Sequence, residues 1–185
     1  SVRASLLGSP DHGVQRPRVS CSIRVLAALG VLGLAMPPGA WAQARAPLPA
    51  GTLPVLHGVV SGQAVVNAPA PGAAQALMTI DQSTQRAILD WRSFDIASDS
   101  EVRFRHPNTL ASTLNRIYDA NPSVIQGKLT ANGQVLLINQ NGILFERGAQ
   151  VNTQSLIASS LNVTNERFLS GVLTGGGLTT PAFSG

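Results

Sequence analysis

Four carboxylates crowd one short stretch of the chain, Asp90, Asp95, Asp99 and Glu101, and Arg103 and Arg105 follow directly. Clustered carboxylates beside a cationic group are what a polysaccharide lyase or hydrolase uses, either to hold Ca²⁺ or to divide acid and base work between two carboxyls. The histidines add little to that chemistry. His57 and His106 have no nucleophile at a useful spacing, and the sequence contains no Cys/His metal spacing, phosphate-cradling Gly-rich loop or Gly-x-Ser-x-Gly elbow. Glu101-Val-Arg-Phe-Arg105 alternates strictly, so Glu101, Arg103 and Arg105 share one strand face. Opposite charges along a solvated strand explain that face without catalysis. The sequence therefore predicts no enzyme, no cofactor and no metal, with an extracellular β-helix polysaccharide-active enzyme as the rival reading. The triplet Asn162-Val-Thr164 forms a glycosylation sequon at Asn162, whereas Pro122 rules out the one at Asn121.

The elements that must carry these residues are short. From Leu53 onward, apolar stretches of strand length alternate with turn residues. They cover Val55–Val60, Gln63–Val66, Leu77–Ile80, Arg86–Ile96, Glu101–Arg105, Thr113–Tyr118, Val124–Thr130, Gln134–Asn139, Ile143–Phe145, Ala149–Asn152 and Leu156–Val163, and no long helix is predicted. Arg86–Ile96 is amphipathic only with a bend. Val135–Ile138 is continuously apolar, as in a strand covered on both faces. Asn132-Gly133 and Asn141-Gly142 bracket that run, and Asn-Gly is a strong hairpin signal that points to an antiparallel β-sandwich. The same punctuation suits a parallel β-helix, whose strands are joined by Asn- and Gly-bearing turns. Only loose echoes support a coil period, such as Gly133-Gln-Val135 and Ala149-Gln-Val151.

Composition narrows the setting. The 185 residues are 44% hydrophobic and 12% charged, which fits an all-β domain better than a helical bundle. The net charge of +4 is concentrated at the N-terminus, where Arg3, Arg16, Arg18 and Arg24 face only Asp11. The remainder carries nine basic and eight acidic groups, too balanced for a nucleic-acid surface. Residues 1–42 have the form of a signal peptide: a basic region, the apolar run Val25–Met36, Pro37-Pro38, and then Ala40-Trp-Ala42. Cleavage is expected between Ala42 and Gln43, or two residues later, leaving residues 43–52 as an extended Pro-rich lead-in. The one cysteine, Cys21, lies in the leader, so the exported part has no thiol chemistry.

The residues Ala131-Asn-Gly-Gln-Val-Leu-Leu-Ile-Asn-Gln-Asn-Gly-Ile-Leu-Phe145 resemble the core motif of the filamentous haemagglutinin N-terminal domain family of two-partner secretion exoproteins. The family's segment runs roughly A-N-G-Q-V-F-L-I-N-P-N-G-I-L-F. Arg86–Ile96, His106-Pro-Asn108, Leu114-Asn-Arg-Ile117, Gly148–Asn152 and Leu156–Leu161 resemble further family segments in the family's order, over about residues 53–171.

The resemblance implies a right-handed parallel β-helix, partial and with an open C-terminal end, carrying short extra-helical strands. Residues 172–185 would be that open end or the start of a continuation. It further implies the secretion domain of a large exported adhesin or toxin at the surface of a Gram-negative bacterium. Its partner would be an outer-membrane β-barrel transporter with periplasmic binding domains, and any host glycan or receptor would be met through regions outside this chain or by the domain itself. Asn139, Asn141, Gly142 and Ile143 are the implied sites of transporter recognition or coil nucleation, with Asn115 and Arg116 in second rank. Arg116 either bridges coils or lies on a solvated face, the plainer of the two. Gln140 stands where the family has proline, which leaves the turn looser. Val135–Ile138 is the segment expected to add as a strand to the transporter's periplasmic domain.

Overall fold

The computed structural model describes residues 46–171. The predicted signal peptide, the Ala42/Gln43 cleavage site, Cys21 and the segment 172–185 lie outside the described residues. Strands β1 (Val55–Ser61) and β2 (Ala64–Asn67) lead into β3 (Leu77–Gln82), β4 (Arg86–Ser93), β5 (Glu101–Arg105), β6 (Ser112–Ile117) and β7 (Ser123–Ile125). Then come β8 (Lys128–Ala131), β9 (Gln134–Asn139), β10 (Ile143–Phe145), β11 (Gln150–Asn152), β12 (Ser155–Ser159) and a short helix α1 (Asn165–Ser170). They form sheet A (β1-β4-β6-β9-β12), sheet B (β11-β8-β5-β3-β2) and sheet C (β10-β7), with a single bridge from Ile96 to Ile125 extending sheet C.

Every pairing from β3 onward is parallel, so successive strands of one sheet belong to successive coils of a parallel β-helix. Among the described residues antiparallel pairing is confined to the N-terminal edges, where β1 closes on β4 and β2 on β3. The sandwich alternative is thereby overturned. Neither Asn-Gly pair makes a hairpin: Asn132-Gly133 turns the chain from sheet B into sheet A, and Asn141-Gly142 from sheet A into sheet C. Register explains why no period is visible in the sequence. Sheet A steps from Arg86 to Ser112 to Gln134 to Ser155, advances of 26, 22 and 21 residues. Sheet B steps from Leu77 to Glu101 to Lys128 to Gln150, advances of 24, 27 and 22. The suggested echo is coincidental, because Val135 lies in sheet A and Val151 in sheet B.

Two other expectations need correction. The stretch Val124–Thr130 is two strands, broken at Gln126-Gly127 as the chain passes from sheet C to sheet B. A Cβ at Gly127 would lie 2.1 Å from the Ala97 carbonyl oxygen and 2.3 Å from that of Ser100, so only glycine fits this corner. Leu156–Val163 ends as a strand at Ser159, and α1 follows. That helix is fixed by its caps: Thr164 Oγ1 accepts from Arg167 N at 3.3 Å, and Gly171 is left-handed at φ 103°.

Like residues stack inside the coils. Met78, Val102 and Leu129 form one ladder, and Ile80 packs on Phe104 in another. Trp91 meets Phe94 edge-to-face at 5.2 Å. Sheet A is also covered outside, where Ile88, Leu114, Leu136 and Ile138 pack beneath Val163 and Phe168 of the 162–170 segment. The continuous apolar run Val135–Ile138 is buried throughout because it has no solvent face.

One polar network is enclosed between coils. His106 Nε2 lies 2.8 Å from Thr113 Oγ1, whose hydroxyl donates to Gln82 Oε1, and Gln82 Nε2 donates to Thr84 O at 2.7 Å and Ser112 O at 3.2 Å. With the threonine hydrogen committed to Gln82, His106 Nε2 is the donor. Burial pushes the imidazole below its ordinary value of 6.5, against an opposing contact with Asn132. The unfolded chain then takes up the proton more readily than the folded one. Stability is complete above about pH 6.5 and falls as the pH drops through that value toward the lower folded one. Urea unfolding at stepped pH should show this loss in the native chain. His106→Gln should flatten the slope above about pH 5, since carboxylates titrate lower, near 4.

Candidate functional site

The corner at residues 139–143 is built by a strand that ends in a buried amide. Asn139 closes β9 with no exposed surface. Its Nδ2 donates to Ser123 Oγ at 3.0 Å and to Asn121 O at 3.1 Å, while its Oδ1 accepts from Asn141 N at 2.9 Å. Gly142 N donates to Asn139 O at 2.9 Å, closing a four-residue turn, and Gly142 adopts φ 99°. Asn141 Nδ2 reaches back to Asp119 O at 2.7 Å, and Ser123 N donates to Gly142 O at 3.0 Å. Ile143 then pairs with Ser123 to open β10. Asn139, Asn141, Gly142 and Ile143 are thus each tied to residues 119–123 of the preceding coil. Beside it lies a shallow cleft of about 250 Å³, lined among others by Tyr118, Asp119, Gln140, Asn141 and Asn162. Gln140 and Asn141 are exposed on its rim.

Asn115 sits at the centre of sheet A with no exposed surface. Its Oδ1 accepts from Trp91 Nε1 at 3.0 Å, and its Nδ2 donates to Leu136 O at 3.1 Å, so one side chain links three successive coils. Arg116 does not lie on a solvated face: its side chain is 12% exposed. Its Nε donates to Asn162 Oδ1 at 3.1 Å and its Nη2 to Val163 O at 2.8 Å and Asn165 Oδ1 at 2.9 Å. Its Nη1 stands 3.9 Å from Asp90 Oδ1. Arg116 therefore fastens the segment before α1 onto the outer face of sheet A. Asn162 Oδ1 also accepts from Val163 N at 2.8 Å, and Thr164 caps the helix, so both polar side chains of the sequon are engaged.

The carboxylates of the rival reading are spread over separate structural tasks. Asp95 Oδ1 accepts from Val124 N at 2.7 Å. Asp99 accepts the backbone N–H groups of Gly51 at 3.0 Å and Gln75 at 3.4 Å, and the Gly51 bond above all holds its carboxyl below the usual range. Burial raises Glu101, but hydrogen bonds from Arg103 at 2.8 Å and Thr130 at 3.0 Å outweigh it and leave the carboxyl lowered. His57 is exposed on β1, and His106 is inside the network described above. Among the described residues no group of three or more His, Cys, Asp or Glu is placed to hold a metal ion.

Sequence reasoning passed over Asp119, Asn121 and Ser123, the residues that receive the turn. The one available signal was the polar cluster Asp119-Ala-Asn-Pro-Ser123 between two apolar stretches. Gln140 follows an extended residue and has a negative φ, the sign proline requires. Gln140→Pro should raise the stability by about 0.4–1 kcal/mol through reduced unfolded-state entropy. Urea titration of the two proteins checks this.

A family profile described as TPS secretion domain matches residues 57–176, from within β1 to beyond α1. A heme/hemopexin-binding protein of Haemophilus influenzae is 48% identical over 83 residues, which are 45% of this chain and 9% of that protein. The protein of the same name from H. influenzae strain Rd is 47% identical over the same share of each. The crystal structure of the HMW1 secretion domain from H. influenzae superposes with a TM-score of 0.55 at 32% identity, covering 62% of this chain and 30% of that one. The chain thus corresponds to a small part of the curated relatives it matches. A profile that spans the coils, and a solved secretion domain that shares their architecture, lead to one assignment: the chain belongs to the TPS secretion domain family.

Proposed function

We propose that residues 53–171 are the part of a two-partner secretion substrate that an outer-membrane β-barrel transporter recognises through its periplasmic binding domains. Residues 1–42 direct Sec export and are removed at Ala42/Gln43, and residues 43–52 lead into the domain. The protein then reaches the outside or the cell surface of a Gram-negative bacterium. The observation that carries this reading is the family match across the β-helix.

The geometry supports a division of labour along the motif. Val135–Ile138 is buried on both faces once folded, so strand addition to the transporter through it is open only to the unfolded chain. Folding outside the cell withdraws that segment, and parallel pairing between coils builds a structure that cannot re-enter extended. Asn139, Asn141, Gly142 and Ile143 act in coil nucleation, because their bonds join one coil to the next, and exposed Asn141 remains available for contact. Asn115 and Arg116 act within the folded β-helix, and any glycan at Asn162 is added before folding engages its carboxamide. The haemagglutinin and adhesin character of the whole protein, and any host receptor, belong to regions beyond this domain. What the relatives bind does not travel with a segment that makes up 9% of them.

Secretion of the chain from Gram-negative cells, with and without a co-expressed partner transporter, tests the proposal. Export is expected only with the transporter, and Asn141→Ala should reduce it while costing about 0.5–1.5 kcal/mol of stability, the worth of one hydrogen bond. Circular dichroism and urea unfolding of purified Asn141→Ala separate a lost contact from a lost fold. Equal export without any transporter contradicts the reading.

A further inference from the structure

Neither Asn-Gly pair makes the hairpin it suggests, and both have their reactive groups tied down. In an Asn-Gly sequence the glycine nitrogen has an unhindered approach to the asparagine Cγ, so the carboxamide is unusually prone to loss as ammonia. At Asn141-Gly142 that attack requires two bonds to release: Gly142 N to Asn139 O at 2.9 Å, and Asn141 Nδ2 to Asp119 O at 2.7 Å. At Asn132-Gly133 the side chain is held at both ends, Oδ1 by His106 N at 2.7 Å and Nδ2 by His106 O at 2.8 Å. Gly133 is buried there, and a Cβ on it would lie 2.6 Å from His106 Cγ.

We infer that Asn132 and Asn141 are self-modification sites which the folded β-helix shields and the unfolded chain exposes, and that modification at Asn141 blocks formation of the corner. In the reaction Gly142 N bonds to Asn141 Cγ and the Cγ–Nδ2 bond breaks. The Gly142 amide proton leaves with the departing nitrogen as ammonia. Water then opens the cyclic imide at either carbonyl, giving aspartate or isoaspartate. No oxidant or reductant is consumed, and one negative charge is gained. Isoaspartate lengthens the main chain by one methylene between Asn139 and Gly142. The bond from Ser123 N to Gly142 O and the Ile143–Ser123 register both depend on that spacing. A domain held unfolded for export would thus lose its capacity to fold with time. The inference goes beyond the secretion reading and stands whichever transporter is used.

The test ages the purified full chain in mildly alkaline buffer, with and without urea, and follows both peptides by mass spectrometry with isoaspartate detection. In urea the two sites should react at similar rates. Folding should slow both by about tenfold or more, because reaction then waits on local opening. Asn132, clamped twice and beside a buried glycine, should be the slower in the native protein. Gly142→Ala in urea should slow Asn141 alone, a comparison that needs no folded variant. Chains carrying isoaspartate at 141, separated and diluted from urea, should fail to regain the native circular dichroism spectrum. An equal rate at Asn141 in native and unfolded protein, a native order with Asn132 faster, or full refolding of the isoaspartate form would each overturn the inference.

Discussion

The centre of sheet A has no wet side. Its inner face lines the coils, and its outer face lies under Val163 and Phe168, so every side chain at its centre is either apolar or bonded to protein. A dry sheet tolerates a polar group only with its partners in place. That constraint determines what Asn115, Asn139 and Arg116 do. Each amide spans coils, and the arginine, near the end of the central strand β6, gives its donors to the segment that covers the sheet. The covering segment in turn is held by capped ends and a buried phenylalanine rather than by length.

The same arrangement gives the domain its direction of growth. Antiparallel β1 and β2 close the N-terminal edges of sheets A and B, after which each coil lies on the one before it. The 139–143 corner joins sheet A to sheet C and is one place where side chains, not only ladder bonds, enforce register between coils. The apolar run Val135–Ile138 is enclosed on both faces only once neighbouring coils exist. Contacts between residues distant in sequence dominate, as the 20-residue step from Ser123 to Ile143 illustrates, and such topologies form slowly.

Much of this was legible in the residues. Strict alternation placed Val102 and Phe104 inward in β5, and the unbroken run in β9 announced burial on both faces. The family resemblance pointed to parallel pairing, and the register bears it out; periodicity could not choose, because corners of unequal length make the coils unequal. Asn-Gly pointed to hairpins only because local turn chemistry is blind to which strand comes next. Gly127 looked like an ordinary residue within a strand, yet the close approach of Ala97 and Ser100 carbonyls makes it a corner. Helix α1 is too short for a periodic signal and shows only in its Thr164 and Gly171 caps. Arg116 was misjudged because its partners, Asn162 to Asn165, lie more than 45 residues away in sequence.

Whether buried amides couple the coils is most directly tested by urea unfolding of Asn115→Ala. The substitution leaves the Trp91 indole N–H without this partner in the dry centre of the sheet and takes one of the hydrogen bonds from the Leu136 carbonyl. The account predicts a loss of about 1–3 kcal/mol, from the unsatisfied buried indole N–H, with one cooperative transition retained. A loss below about 0.5 kcal/mol, the range of an ordinary surface substitution, would contradict it.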